Sequence, residues 1–323
     1  MKIQLETEIP IDFNGMRLDA ALAKCFPEHS RSKITEWIRA GNVLVNGASA
    51  MPKQKVAGAE KIFIESQLTE LSNKAEDLPI NVVYADEDII VIHKPKGCVV
   101  HPGAGNWEGT LLNALLFHYP ELKLLPRAGI VHRLDKDTTG LMVVARSQLA
   151  YHQLVADLKD RKLSRHYYAL VKGELISGGT LSYPMGRSRQ NRLKMTVAGN
   201  GKPAITHYKI AQRFRGYTLL NVKLETGRTH QIRVHFSHVG HPLIGDPLYK
   251  GRGILAPNLS EDLRNKIKAF PRPALHAYYL GLTHPATQEA MAWELPIPED
   301  IKTMLKELGD ECHHTRLASS ELG

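Results

Sequence analysis

The sequence predicts an α+β chain in two parts. A small module of two helices and a hairpin precedes a larger domain on a mixed, largely antiparallel sheet flanked by helices. Three observations carry this. Apolar residues recur at helical spacing between residues 18 and 38, then give way to short strand-like runs. Beyond residue 80 strand-like runs outnumber helical ones, and several neighbours are joined by short turns. Between the two regions SQLTELSNKAEDLPI is polar and without a period. The expected boundaries are a module at 1–65, a linker at 66–80, a main domain at 81–308 and a polar tail at 309–323.

Composition supports the division and narrows the function. With 323 residues, 43% of them apolar, the chain can bury a sizeable core and suits two domains. Forty-two Lys and Arg against 33 Asp and Glu leave a net charge of +9, which points to an anionic partner such as nucleic acid. Cys25, Cys98 and Cys312 are far apart and match no metal or disulfide frame, so reduced thiols of a cytoplasmic protein are expected. The N-terminus is polar, and no apolar run approaches the ~20 residues that span a bilayer. No membrane association is expected.

Residues 16–47 read MRLDAALAKCFPEHSRSKITEWIRAGNVLVNG. Leu18, Ala21, Leu22 and Cys25 fall on one helical face, and Pro27 ends that helix. Ser30 or Ser32 caps a second, which buries Ile34, Trp37 and Ile38, exposes Arg31, Lys33 and Arg39, and stops at Gly41. VLVNG is a strand entering an Asn-Gly hairpin turn, and KIFIE (61–65) is a further strand. The RLD, the SRSKI and the VNG together resemble the S4 RNA-binding domain. That resemblance implies that Arg31, Lys33 and Arg39 grip structured RNA.

From residue 81, NVVYADEDIIVIHKPKG reads as strand, acidic turn, strand and a Lys-Pro-Lys-Gly loop. TLLNALLFHY (110–119) and SQLAYHQLVADLKD (147–160) read as helices. KLSRHYYALVKGEL and AITHYKIAQRFRGYTLLNVKL read as strands. The last fifteen or so residues are polar and expected to fray.

Three stretches carry chemistry. AGIVHRLDKDTTGLMVVARS (128–147) places His132, Arg133, Asp135, Lys136 and Asp137 between apolar runs, and Leu141 to Ala145 reads as a buried strand. Charges are costly in a core, so the middle is a loop against a strand end. Cationic neighbours favour an ionised carboxylate, which suits a nucleophile or electrostatic stabiliser better than a general acid. LETGRTHQIRVHFSHVGHPLIGDP (224–247) alternates about Ile232, Val234 and Phe236 as a half-buried strand would, with arginines at its end that can meet a loop carboxylate. In SRHYYALVKG (164–173), Tyr167 and Tyr168 point to opposite faces of a strand. Arg187, Arg189, Arg192 and Lys194 form a basic, loop-like stretch suited to phosphates.

The three stretches together resemble the RluA family of pseudouridine synthases. HRLD-x-x-T-[ST]-G is met by His132 to Asp135, Thr138, Thr139 and Gly140; R-x-Y-x-A by Tyr167 and its neighbours; TGR-x-HQIR by Thr226 to Arg233. KPKG…VHPG (94–103) and GKPA-x-T-x-Y (201–208) extend the match. The resemblance implies the pseudouridine synthase fold and isomerisation of uridine to pseudouridine in RNA, in a 23S rRNA stem-loop, with no metal and no cofactor. Asp135 would be the essential carboxylate, acting by attack at C1′, by addition to the base or through a glycal. Tyr167 would lie against a flipped-out base and help remove a proton. Arg233 would pair with Asp135. Arg133, Arg228 and His230, beside these positions, would contact RNA.

Three other readings fit parts of the chain. A metal-dependent hydrolase could use His230, His235, His238 and His241 with Asp135, Asp137 and Asp246, but no ligand frame supports zinc. An N-glycosylase could use Asp135 and Asp137, which are too close in sequence to flank a sugar comfortably. An RNA chaperone or assembly factor of the large subunit would use the basic surfaces alone. Nothing suggests a coiled coil, so a monomer is expected.

Overall fold

The computed structural model describes the chain except residues 1, 27–30, 68–73, 104, 189, 192–193, 252–258 and 321–323. It divides into two compact units, Met1–Ser72 and Asn73–Gly323.

The first unit is a four-stranded antiparallel sheet with two helices. Its elements are β1 (Lys2–Glu8), α1 (Leu18–Cys25), α2 (Arg31–Arg39), β2 (Val43–Val45), β3 (Ala48–Ser49) and β4 (Lys61–Gln67), with strand order β1-β4-β2-β3. The amphipathic spacing of the helices closes over one core of Leu18, Leu22, Ile34, Trp37, Ile38, Val43 and Ile64. Asn46 and Gly47 both take positive φ, the geometry a two-residue hairpin turn demands. β4 runs two residues into the stretch expected to be linker.

The second unit contains β5 (Val82–Ala85), β6 (Ile89–Lys94), α3 (Leu111–His118), β7 (Thr139–Ala145), α4 (Gln148–Lys159), β8 (Ser164–Lys172), β9 (Gly179–Ser182), β10 (Met185–Arg187) and β11 (Met195–Val197). There follow β12 (Ile205–Phe214), β13 (Tyr217–Leu224), α5 (Gln231–His238), α6 (Glu261–Ala269), β14 (Leu275–Thr283), β15 (Ala290–Glu294) and α7 (Glu299–Ser320). The main sheet runs β5-β6-β7-β14-β8-β13-β12-β9, with β15 also on β14. Its pairs are antiparallel except β7 with β14.

Two cores cover the sheet, and β8 shows how. Tyr167, Ala169 and Val171 belong to the core with α3 and α4; Tyr168 and Leu170 belong to the core with α6 and α7. Thr110 caps α3 through a reciprocal pair with Asn113, and the Asn113 side-chain amide donates to the Lys74 carbonyl at 2.8 Å. Glu76 accepts from the Gly109 N–H, so the later part of the expected linker lies on the second unit.

Two sequence expectations need correction. The stretch around Ile232 is helix α5, not a strand. Every residue from Gln231 to Phe236 is buried there, so the alternation of apolar types marked no exposed face. Residues 309–320, expected as a frayed tail, continue α7 to Ser320. The stretch holds no proline to break a helix already running from Glu299, although only Glu311, Arg316, Leu317 and Ala318 in it are strong helix formers.

Candidate active site

The site forms where β7 meets β14. Thr139 and Gly140 pair with His276 and Ala277, and Ala277 pairs in turn with Tyr167 of β8. Tyr167 therefore lies level with the start of β7, just after the Asp135 loop. Gly140 makes this approach possible. Its φ is +125°, and a Cβ there would lie 2.2 Å from the Ala277 carbonyl oxygen.

The Asp135 loop is held from several sides. A turn returns the Thr138 N–H to the Asp135 carbonyl at 3.1 Å. Lys94, wholly buried at the end of β6, donates from Nζ to the carbonyls of Pro95, Cys98 and Lys136 at 2.8–2.9 Å. Burial pulls its ammonium down to about 8. Arg272 is buried on a bidentate pair with Asp300 and also donates to the Asp137 carbonyl at 3.3 Å. His132 Nε2 accepts the Val143 N–H at 3.1 Å, and burial lowers this imidazole to about 3, so it is neutral at physiological pH.

Arg233, on the first turn of α5, joins two carboxylates. Its Nη1 donates to Asp135 Oδ2 at 3.0 Å; Nε and Nη2 donate to the two oxygens of Asp246 at 2.7 and 2.9 Å. The Asp246 side chain is fully buried, while that of Asp135 remains 18% exposed. Burial alone would push Asp246 up, but Arg233 and the N–H groups of Tyr249 and Leu248 hold it below the usual carboxylate range. The Arg233 guanidinium lies 5.1 Å above the Tyr249 ring. The Tyr249 hydroxyl is 2.8 Å from His230 Nδ1, and His230 Nε2 stands 3.8 Å from Asp135 Oδ1.

Gln231 fixes the turn that brings these groups in. Its side-chain oxygen accepts from Thr226 Oγ1 and the Arg228 N–H, and its nitrogen donates to the Ile205 carbonyl and Thr206 Oγ1. His230 takes φ +57°, the left-handed bend that starts α5. Tyr167 is buried, and burial, reinforced by Asp135, raises its phenol.

Asp135, Tyr167, Arg233 and His230 are thus brought together. Arg133 and Arg228 are exposed beside them, with Arg228 Nε donating to the Pro203 carbonyl. Arg187 is exposed on β10, and Lys194 is half-buried just before β11. Arg189 and Arg192 lie outside the described residues, as does the side chain of Lys33. In the first unit Arg39 is exposed, and Arg31 is half-exposed but tied to Asp19 at 2.8 Å. The histidines that suggested a metal diverge: His235 meets Thr206 and the Tyr183 carbonyl, His241 the Lys172 carbonyl. Sequence reasoning missed Asp246 as the second partner of Arg233, and Lys94 and Arg272 as holders of the loop. Their targets are an interior cation and backbone carbonyls, which leave no spacing pattern.

Residues 88–238 match the RNA pseudouridylate synthase family model, and residues 16–62 match the S4 domain. Ribosomal large subunit pseudouridine synthase D of Pseudomonas aeruginosa is 51% identical over 304 residues, covering 94% of this chain and 95% of that protein. The protein of the same name from Escherichia coli K12 is 48% identical over 307 residues, 94% of each. Among solved structures, human RNA pseudouridylate synthase domain containing 4 superposes with a TM-score of 0.54 at 27% identity, over 71% of this chain and 92% of that one. With about half of its residues shared along nearly its whole length, the chain belongs to the RNA pseudouridine synthases, isomerases that act on RNA, and carries an S4 RNA-binding domain.

Proposed function

We propose that the chain converts specific uridines of 23S ribosomal RNA to pseudouridine, in a stem-loop of the assembling large subunit, as a cytoplasmic monomer without metal or cofactor. The observation that carries this is the Asp135 carboxylate, held by Arg233 yet still 18% exposed, close to the buried Tyr167. Relatives with about 50% identity are named for the ribosomal large subunit.

The reaction breaks the C1′–N1 bond, turns the uracil and joins its C5 to C1′. Asp135 is the essential carboxylate. Attack at C1′, addition to the base and a glycal route all require it, and Arg233 stabilises the charge it must carry. The target nucleotide leaves its stack, and packing against Tyr167 offsets part of the lost stacking. Because burial raises its phenol, Tyr167 enters the reaction protonated, which favours a wall and a hydrogen-bond donor over a base. Arg133, Arg228 and the basic stretch at 187–194 hold phosphates, and Arg31, Lys33 and Arg39 of the 1–65 module hold structured RNA.

The test is pseudouridine formation in unmodified 23S rRNA transcript in EDTA, mapped by chemical labelling and primer extension, for the wild type and Asp135→Asn. Discrete conversion by the wild type and none by a variant that still binds RNA is expected. Equal conversion by both would remove Asp135 from the mechanism. Binding without conversion by both would favour an assembly factor.

A further inference from the structure

Arg165 is a buried cation without a partner. It lies two residues before Tyr167 on β8, so strand alternation puts the two side chains on one face. It is 7% exposed, its Nε is fully enclosed, and among the described residues its side chain makes no hydrogen bond or ion pair. A guanidinium offers five donors, and burying it unpaired is costly. Every other buried arginine of the site region is spent: Arg233 on Asp135 and Asp246, Arg272 on Asp300. Arg165 is close enough to depress His132 and to act on the Tyr167 phenol. Gly227, in the turn before α5, lies against its guanidinium; a Cβ there would sit 3.1 Å from Nη1.

Resting on the functional reading above, we propose that Arg165 is a catalytic residue whose guanidinium binds the uracil oxygens and carries the negative charge of the base as the glycosidic bond breaks. In that step the C1′–N1 pair leaves with the base and spreads over N1, O2 and O4. The deficit at C1′ is met by a bond to the Asp135 carboxylate, which breaks again as C5 attacks, or by passing the C2′ proton to that carboxylate, which returns it to C2′ as C5 bonds to C1′. When C5 bonds to C1′ that pair is returned, and the C5 proton is exchanged for one on N1, so no oxidant or co-reactant is needed. The exposed Arg133 and Arg228 suit phosphates; a buried arginine on the same face of β8 as Tyr167 suits the base. An unpaired donor set that gains its acceptor charge only during bond breaking favours the transition state over bound substrate.

The experiment compares wild type, Arg165→Met and Arg165→Lys in single turnover, on RNA carrying uridine or 5-fluorouridine at the target, reading C1′–N1 cleavage and RNA affinity. Fluorine stabilises the departing uracil anion and leaves its oxygens in place. Expected for Arg165→Met are a rate loss of about 100-fold or more on uridine, a loss at least about 10-fold smaller on 5-fluorouridine, and an affinity change under about 3-fold. Arg165→Lys should recover part of the rate. Equal losses on both RNAs would make the role structural and overturn the assignment. So would an unchanged saturating rate with weaker binding and a salt slope reduced by about one, the mark of a phosphate contact. A wild type that cleaves neither RNA overturns the functional reading itself, and this assignment with it.

Discussion

The tripeptide Arg-Leu-Asp occurs in both units, and its aspartate meets opposite fates. In the S4 unit, Asp19 accepts two hydrogen bonds from Arg17 and one from Arg31, and its side chain is only 5% exposed. One anion there is enclosed by two cations. In the synthase unit the arrangement is inverted: one cation, Arg233, stands between two anions. Asp246 takes the bidentate pair and the deepest position, and Asp135 is left with a single donor and an open side. A carboxylate engaged by three donors is a tie; one held by a single corner can still react. Arg133, the arginine of the second tripeptide, is exposed instead of folding back on its aspartate.

The strongest way to break this comparison is to neutralise each aspartate. Asp135→Asn should lower pseudouridine formation at least ~10³-fold with little change in unfolding midpoint. Asp19→Asn should do the reverse, lowering the unfolding midpoint of the S4 unit while leaving the saturating rate near wild type. Rate loss in both variants would erase the distinction. Next in size, Asp246→Asn removes the buried half of this bridge, leaves Arg233 with Asp135 alone, and should cost about 3–5 kcal/mol in denaturant unfolding.

Acid should separate the units more gently. Burial lowers His132 to about 3 and His276 to about 4. For histidines depressed in the fold, the unfolded state binds more protons below about 6.5, so stability is lost as pH falls from there toward those values. Asp19 is also depressed, chiefly by its bond to Arg17. As a carboxylate it contributes fully above about 4 and loses that contribution only below. Peptide-resolved hydrogen exchange, corrected for intrinsic rates, should show the synthase unit losing protection between pH 6.5 and 5 while β2 and β4 keep theirs. The smallest effect is Arg31→Ala. Arg31 is 52% exposed and Arg17 keeps its bidentate hold, so the unfolding free energy should fall by about 1 kcal/mol or less.

Legibility from sequence followed where the information is written. The Asp135 loop was readable because charges interrupt an apolar run, and the Asn-Gly turn because few residues tolerate its backbone. The opposed faces of Tyr167 and Tyr168 followed from period two and hold in the structure, where Tyr168 stacks on Tyr278 at 4.0 Å between centroids. Helix α5 was misread because burial on all sides removes the polar face that distinguishes period 3.6 from period 2. Asp246 was noticed only as a possible metal ligand. Its role depends on a cation thirteen residues earlier that the fold, not the local pattern, turns toward it.

The parallel pairing of β7 with β14 also sets an order in time. Thr139 and His276 are 137 residues apart. On a chain made at ~5–20 residues per second, the second strand is synthesised on the order of ten seconds after the first. Until then the edge of β7 beside the Asp135 loop has no partner, and Arg272, which steadies that loop, does not yet exist. The Asp135 site therefore cannot be completed until β14 has been made, long after the S4 unit. A message cut short anywhere before β14 yields at most a folded S4 unit joined to a synthase domain that cannot close.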